Sequence, residues 1–347
     1  IVISVGFLQI VSTYLINIYQ FMQLWGEGVQ CNQFGNGWCA IAAQLGNTWF
    51  AYYGEQLSLR VFSLFPDSHS FPIFVLLAIP ALLMYGISNI INTPARLEHL
   101  KTLIMTRGRL AVLWVPMAFL IAILSGTRGI WAAAVGVVLL AILISALLVW
   151  FKASQGHKTL FRYVSLYILL FFLLFSVAYP VFTSPQFLLS KDDFGLFRNR
   201  IKSIIDFGET SNAQRIEIWK KTIISIKENP VLGVGIGNFP VVLQQELFLA
   251  RAGSSAHNIY LHIAAEVGIL ALVIIISMLW KFGVQIYRGY IREPDPIYMT
   301  YLAAAMLFIP WILLYSLTDV ALFDERAFLL FVTSLGLLGG LTHKFNE

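Results

Sequence analysis

The chain has 347 residues, 58% of them hydrophobic and 12% charged, with a formal net charge of +5 and a mean hydropathy of +0.76. That composition excludes a soluble globular protein of this size. The apolar residues come in unbroken blocks close to the roughly 20 residues with which an α-helix crosses about 30 Å of hydrocarbon, not in the short alternating segments of a barrel. Backbone groups in lipid must be satisfied within each spanning segment, so the predicted fold is an all-α polytopic transmembrane protein.

The first block, 1–24, opens on Ile1 with no Met, no basic n-region and no small-residue cleavage site, and reads as a transmembrane helix rather than a signal peptide. Earlier helices of a longer protein are expected to precede it. In the polar stretch 25–70, Cys31 and Cys39 sit among Gly, Asn and Trp. Two readings fit the pair: a disulfide, if the segment faces an oxidising compartment, or two unrelated small residues. Neither a His pair nor a second Cys pair stands at zinc-ligand spacing, so no structural metal is expected.

Further helices are predicted at 71–93, 110–124, 130–151 and 161–182, then at 257–280, 298–316 and 327–342, which makes about eight with the first. The chain thus divides into N-terminal transmembrane helices over 1–182, a large helical loop over 183–256 and C-terminal transmembrane helices over 257–347. Basic residues in short connections choose the orientation. Arg96, Lys101, Arg107 and Arg109 share one connection, Lys152, Lys158 and Arg162 the next on that side, Lys281, Arg288 and Arg292 a third, and Lys344 closes the series. These four are predicted to be cytoplasmic. The short connections opposite hold only Arg128 and only Arg326, so 25–70 and 183–256 fall outside, the latter long enough to be exempt from the charge rule.

Within 183–256, Phe194, Phe197, Ile201 and Ile204 recur at helical spacing while Arg198 and Lys202 take other faces. This predicts a helix lying in the interface with its apolar side toward lipid. A second helix is expected to start at Ser211, with Gln214 completing a capping box. It would carry Ile216, Trp219, Ile223 and Ile226 on one face and stop at Asn229-Pro230. Gly233, Gly235, Gly237 and Asn238 then read as a tight turn.

Few groups here can do chemistry. Arg128, in the small-residue hinge Ser125-Gly126-Thr127-Arg128-Gly129, is a permanent charge at a membrane boundary and fits either snorkelling or anion binding. Arg215 falls near the positive end of the second loop helix, where a cation is disfavoured unless something anionic compensates; pairing with Glu209 or Glu217 is the plain alternative. His257, beside Asn258 at the entrance to 257–280, either accepts a proton near neutral pH or is simply interfacial. His262 and Glu266, one turn apart, read as a mutually satisfied buried pair. Asp319, Asp324, Glu325 and Arg326 cluster in the last outward connection, and either orient the other charges or pair among themselves. Asp192-Asp193 lack further ligands, so no metal site is expected there.

Four stretches together resemble the O-antigen ligase and polymerase superfamily, the multi-helix glycosyltransferases called WaaL and Wzy. They are Ser125-Gly-Thr-Arg128-Gly, Arg215-Ile-Glu-Ile-Trp219 leading into Glu228-Asn-Pro-Val-Leu-Gly-Val-Gly-Ile-Gly-Asn-Phe239, His257-Asn258 followed by Glu266-Val-Gly268, and Ser316-Leu-Thr-Asp319-Val. The order Arg-x3-Trp, Asn-Pro-x-Leu-Gly-x-Gly, His-Asn is the specific part. The likeness covers about 110–335. It also touches Phe65-Pro66-Asp67-Ser68-His69, which departs from the family's Phe-x-His-Pro-Asn segment and leaves open whether Arg60 or His69 has a role.

The resemblance implies a GT-C-like fold in the cytoplasmic (inner) membrane, with the active site on the extracytoplasmic, periplasmic side. There a glycan carried on undecaprenyl diphosphate would be transferred, with inversion, to an acceptor hydroxyl of lipid A-core or another surface acceptor. By family position Arg128 and Arg215 would hold the diphosphate and His257 would be the base, with Asn258, Asp319 and Arg326 as further substrate-binding candidates. No cofactor is implied, because two guanidinium forks can replace a metal on a departing diphosphate. The expected partners are the lipid-linked donor, the glycan acceptor and membrane lipid, and no nucleic acid. A polymerase extending lipid-linked repeats, a protein O-oligosaccharyltransferase and, from another class, a flippase for lipid-linked sugars are alternative readings.

Overall fold

The computed structural model describes residues 1–45, 50–53, 56–91, 107–182, 210–244 and 255–343. Among these, six helices are long and apolar enough to cross a membrane, and the chain is an all-α polytopic membrane protein. The helices are α1 (Val2–Ser12), α2 (Ser70–Ile91), α3 (Arg107–Leu124), α4 (Arg128–Trp150), α5 (Gln155–Phe182), α6 (Thr210–Glu228), α7 (Ile259–Val267), α8 (Ile269–Arg292), α9 (Pro296–Tyr315) and α10 (Glu325–His343). The six spanning helices are α2, α4, α5, α8, α9 and α10; the apolar run of α3, 110–124, is shorter.

Helix α9 is the hub. It is apolar all round, is buried along most of its length, and packs against α2, α4, α5 and α8, as expected of a helix with no polar face. Trp311 anchors it: the indole meets Phe119, Phe171 and Phe308, and its N–H donates to the Ile130 carbonyl at 2.9 Å. Helix α8, by contrast, leaves Leu270, Val273, Ile274, Met278 and Trp280 exposed, the signature of a surface that faces lipid.

Two of the predicted helices are broken. Instead of one helix over 1–24, α1 stops at Ser12, and the chain turns before a short helix, Ile18–Phe21, that opens on a reciprocal capping box between Asn17 and Gln20. Polar residues account for the break. Gln9 is buried and binds the backbone of Phe62 and Ser63, while the hydroxyls of Ser12 and Thr13 turn back onto Gln9 and Ile10. The chain then runs through helical turns, Met22–Cys31 and Asn36–Leu45, where Cys31 and Cys39 form a disulfide. An antiparallel hairpin, β1 (Phe50–Tyr53) with β2 (Gln56–Leu59), leads back to the bundle and was not expected from the sequence.

The second break splits 257–280 at Gly268, so that α7 is a short helix outside the span and the membrane-crossing helix is α8. Gly268 has φ +97°, and a side chain there would run into the Val231 carbonyl. The remaining spans agree with prediction to within about six residues. Helix α6 already includes Thr210, so Ser211 is not its cap, and it ends at Glu228 as Asn229-Pro230 requires. The interfacial helix expected from Phe194 to Ile204, Asp192, Asp193, Glu209, Arg96, Lys101 and Lys344 lie outside the described residues.

Candidate active site

Five segments meet at one end of the bundle, joined by hydrogen bonds to backbone carbonyls. The Val61 N–H donates to the Leu124 carbonyl at 3.2 Å, and the Ile259 N–H to the Ser316 carbonyl at 2.9 Å. The Thr127 hydroxyl donates to the Ser68 carbonyl at 2.8 Å. The indole of Trp219, on α6, donates to the Ala256 carbonyl at 2.8 Å. Gly129 closes the ring, because its Cα lies so near Tyr315 and Thr318 that a methyl group would come within 2.7 Å of the Tyr315 ring. Arg60, Arg128, Arg215, His257 and Asp319, scattered over 260 positions of the sequence, are therefore carried on neighbouring strands of backbone.

At the centre is Asp319, in the connection between α9 and α10. Its Oδ2 lies 3.1 Å from Nδ1 of His69, and its Oδ1 accepts the Ala321 N–H at 3.0 Å. On the other side of the ring, His69 Nε2 is 2.6 Å from the Arg60 guanidinium, which also donates to the Ser68 hydroxyl at 3.0 Å. An arginine can only donate, so Nε2 must accept and the ring proton sits on Nδ1, directed at Asp319. Burial disfavours the Asp319 carboxylate, yet His69, His257 and Arg215 override it and hold its pKa below the usual value. Asp67 fixes this arrangement from behind by accepting the N–H groups of His69 and Ser70 at 2.7 Å each, capping α2.

His257 occupies the left-handed region, φ +46°, a conformation that costs a non-glycine residue about 1 kcal/mol or more. The next residue secures it: Asn258 caps α7, its Oδ1 accepting from Tyr260 at 3.0 Å and Leu261 at 3.1 Å. Asn258 is thus used for positioning through that oxygen. Nδ1 of His257 is buried without a hydrogen-bond partner. Burial lowers the imidazole's pKa; Asp319 opposes this, and Arg215 and His69 reinforce it. The ring is accordingly neutral near pH 7 and can accept a proton.

Arg215, near the start of α6, acts electrostatically on both His257 and Asp319. The plain alternative for it falls away in part, since Glu217 pairs with Lys220 at 3.8 Å. Arg128 is the first residue of α4, held beside the cluster by Thr127 and Gly129. Arg326 stands apart, 3.6 Å from Asp324 and stacked over Phe34 and Phe65. Of the cluster 319–326, then, Asp324 and Arg326 pair together while Asp319 joins the histidines.

The glycine-rich stretch after α6 has a docking role. The Val234 and Gly235 N–H groups donate to the Ala265 and Glu266 carbonyls, and the Ile269 N–H donates back to Pro230, all at 2.8–2.9 Å. His262 and Glu266 form the expected pair at 3.4 Å. Glu266 Oε1 also takes the Phe239 N–H at 3.0 Å, and the His262 ring stacks on Phe239 with centroids 4.7 Å apart.

Arg60 and His69, whose roles the sequence left open, touch the centre of the cluster; the residue missed by sequence reasoning is Tyr315, whose buried hydroxyl has no partner. The signal for Arg60 and His69 was the segment Phe65-Pro66-Asp67-Ser68-His69, a departure from the family's Phe-x-His-Pro-Asn pattern. No three His, Cys, Asp or Glu side chains stand together as metal ligands among the described residues.

The family model described as O-antigen ligase matches residues 101–276, just over half of the 347-residue chain. The match contains Arg128, Arg215, His257 and Asn258, but not Arg60, His69, Asp319 or Arg326. No curated protein and no solved structure matches the chain.

Proposed function

The chain belongs to the O-antigen ligase family, and from that premise we propose that it transfers a glycan from undecaprenyl diphosphate to an acceptor hydroxyl, by metal-independent displacement at the anomeric carbon. His257 takes the acceptor's proton, its Nδ1 being committed to no other hydrogen bond. As the acceptor oxygen bonds to the anomeric carbon, the bond from that carbon to the phosphate oxygen breaks and the configuration inverts. Arg215 and Arg128 bind the diphosphate through bidentate contacts that strengthen as leaving-group charge develops. Asp319, held by His69 and Arg60, faces His257 with a negative charge that stabilises the imidazolium formed in the step.

The observation that carries this reading is that the Trp219–Ala256 hydrogen bond brings the helix bearing Arg215 against the residue before His257, with the buried His69–Asp319 pair close by. The proposed side is extracytoplasmic. The Cys31–Cys39 bridge supports it, because it belongs to the segment that leads into Arg60 and His69 and disulfides persist in oxidising compartments.

The acceptor is proposed to be lipid A-core or another surface glycan. The test is product analysis with purified protein in proteoliposomes, given lipid-linked repeats with and without lipid A-core. Glycan appearing on lipid A-core is the expected result. Lengthened lipid-linked repeats in its absence would make the protein a polymerase instead, and donor crossing the bilayer with no bond broken would make it a flippase.

A further inference from the structure

A groove of about 650 Å³ runs between α4 and α5, lined by Val138, Ile142 and Ser145 on one wall and Thr159, Arg162 and Leu169 on the other. A smaller pocket of about 200 Å³ shares Ser145 and Arg162 and adds Lys158. The walls present little that is polar. Ser145 and Ser165 turn their hydroxyls back onto the carbonyls of Ala141 and Phe161, at 2.7 and 2.8 Å. From Thr159 to Leu169 the helix rises about 15 Å, roughly half the hydrocarbon thickness and so the depth of one leaflet.

The mouth of the groove is cationic. Lys158 and Arg162 lie one turn apart, no acidic residue lines either pocket, and neither side chain forms an ion pair among the described residues. Two uncompensated cations at the rim of an apolar channel call for an anion attached to a hydrocarbon chain. A zwitterionic headgroup would bring its own ammonium against them with no carboxylate among the lining residues of either pocket to receive it.

The lipid-linked donor does not fit here. Helix α4 has 23 residues between Arg128 and Trp150, about 35 Å at 1.5 Å per residue, and the groove mouth lies by its far end. A headgroup on Arg162 is therefore a membrane's thickness away from His257.

We infer that this groove binds an anionic glycerophospholipid of the leaflet opposite the candidate active site, with its phosphate on Lys158 and Arg162 and an acyl chain along α4 and α5. The binding stands on the groove itself; only the naming of that leaflet as cytoplasmic rests on the orientation proposed above.

Native mass spectrometry of the full chain released from nanodiscs with equal phosphatidylglycerol and phosphatidylcholine reads the inference directly. Wild type should retain phosphatidylglycerol over phosphatidylcholine by roughly thirtyfold, the scale set by two surface cations, and the double substitution Lys158→Ala, Arg162→Ala should abolish that preference. Ile142→Trp, which fills the groove and leaves the charges in place, should lower total retained lipid and serves as the second variant if the double substitution does not insert. Equal retention of the two lipids by wild type, an undiminished preference in the double variant, or unchanged lipid retention in Ile142→Trp would each overturn it. A wild type that keeps phosphatidylglycerol but transfers no glycan would sink the proposed function and leave the lipid site standing.

Discussion

Two buried histidine–carboxylate pairs lie within one helix of each other, and they differ in what surrounds them. His262 and Glu266 sit on successive turns of α7 at 3.4 Å, and every neighbour is committed: Glu266 takes the Phe239 N–H, and the imidazole stacks on Phe239. His69 and Asp319, at 3.1 Å, come from segments 250 positions apart and are ringed by buried polar atoms without partners: Arg60 Nε, His257 Nδ1 and the Tyr315 hydroxyl. A buried unpaired donor or acceptor costs about 1–3 kcal/mol, so these three groups favour a further polar partner at this end of the bundle. The first pair holds the loop to the bundle, and the second lies beside the proposed base.

Substitutions can break or sharpen that contrast. The largest effect is expected at His257: His257→Ala should reduce glycan transfer by about 10²–10⁴-fold while membrane insertion and the melting transition stay as in wild type. Full transfer by this variant would remove the base from the mechanism. Arg215→Lys and Arg128→Lys should each lose roughly 10²–10³-fold, because an ammonium cannot reproduce a planar two-pronged contact. Wild-type rates in either would reduce that guanidinium to a general positive field.

The pH dependence of transfer should follow the lowered pKa of His257. The neutral ring is the active form, so kcat/KM should be flat near neutrality and fall as pH drops through a value below the ordinary histidine value of about 6.5. Asp319 raises that pKa, so Asp319→Asn should move the acid limb to still lower pH. An unmoved limb would mean the two groups do not communicate. The smallest catalytic effect belongs to the other pair: Glu266→Gln should cost about 1–3 kcal/mol of stability and leave kcat per folded molecule nearly unchanged. A collapse of turnover at unaltered stability would place His262 and Glu266 in the chemistry after all.

Much of the frame was legible in the sequence because lipid imposes long apolar runs, and these fix the existence of α2, α4, α5, α9 and α10 to within a few residues. The break at Gly268 was not legible, since apolar residues continue on both sides and only contact with the loop at Val231 shows why the helix must open there. The early stop of α1 was missed because Gln9 reads as an isolated polar residue until its partners, Phe62 and Ser63, are folded against it. In the site, Arg128, Arg215 and His257 were singled out through family motifs, whereas the degenerate segment Phe65–His69 left the roles of Arg60 and His69 open. Their significance lies in a contact with Asp319, and pairing across such a separation leaves no trace in local spacing.

The bonds between the glycine-rich stretch and the break at Gly268 have a mechanical consequence. Trp219 is tied to Ala256, Val234 and Gly235 to the end of α7, and Ile269 to Pro230, so α6 and α7 are clamped at both ends like two rails of one carriage. Arg215 rides on one rail and His257 at the head of the other, and they must travel together. The Ile259 N–H also holds the head of α7 to the Ser316 carbonyl at the end of α9, so an opening that moved α4 away would change the span from Arg128 to His257 and leave that from Arg215 to His257 fixed.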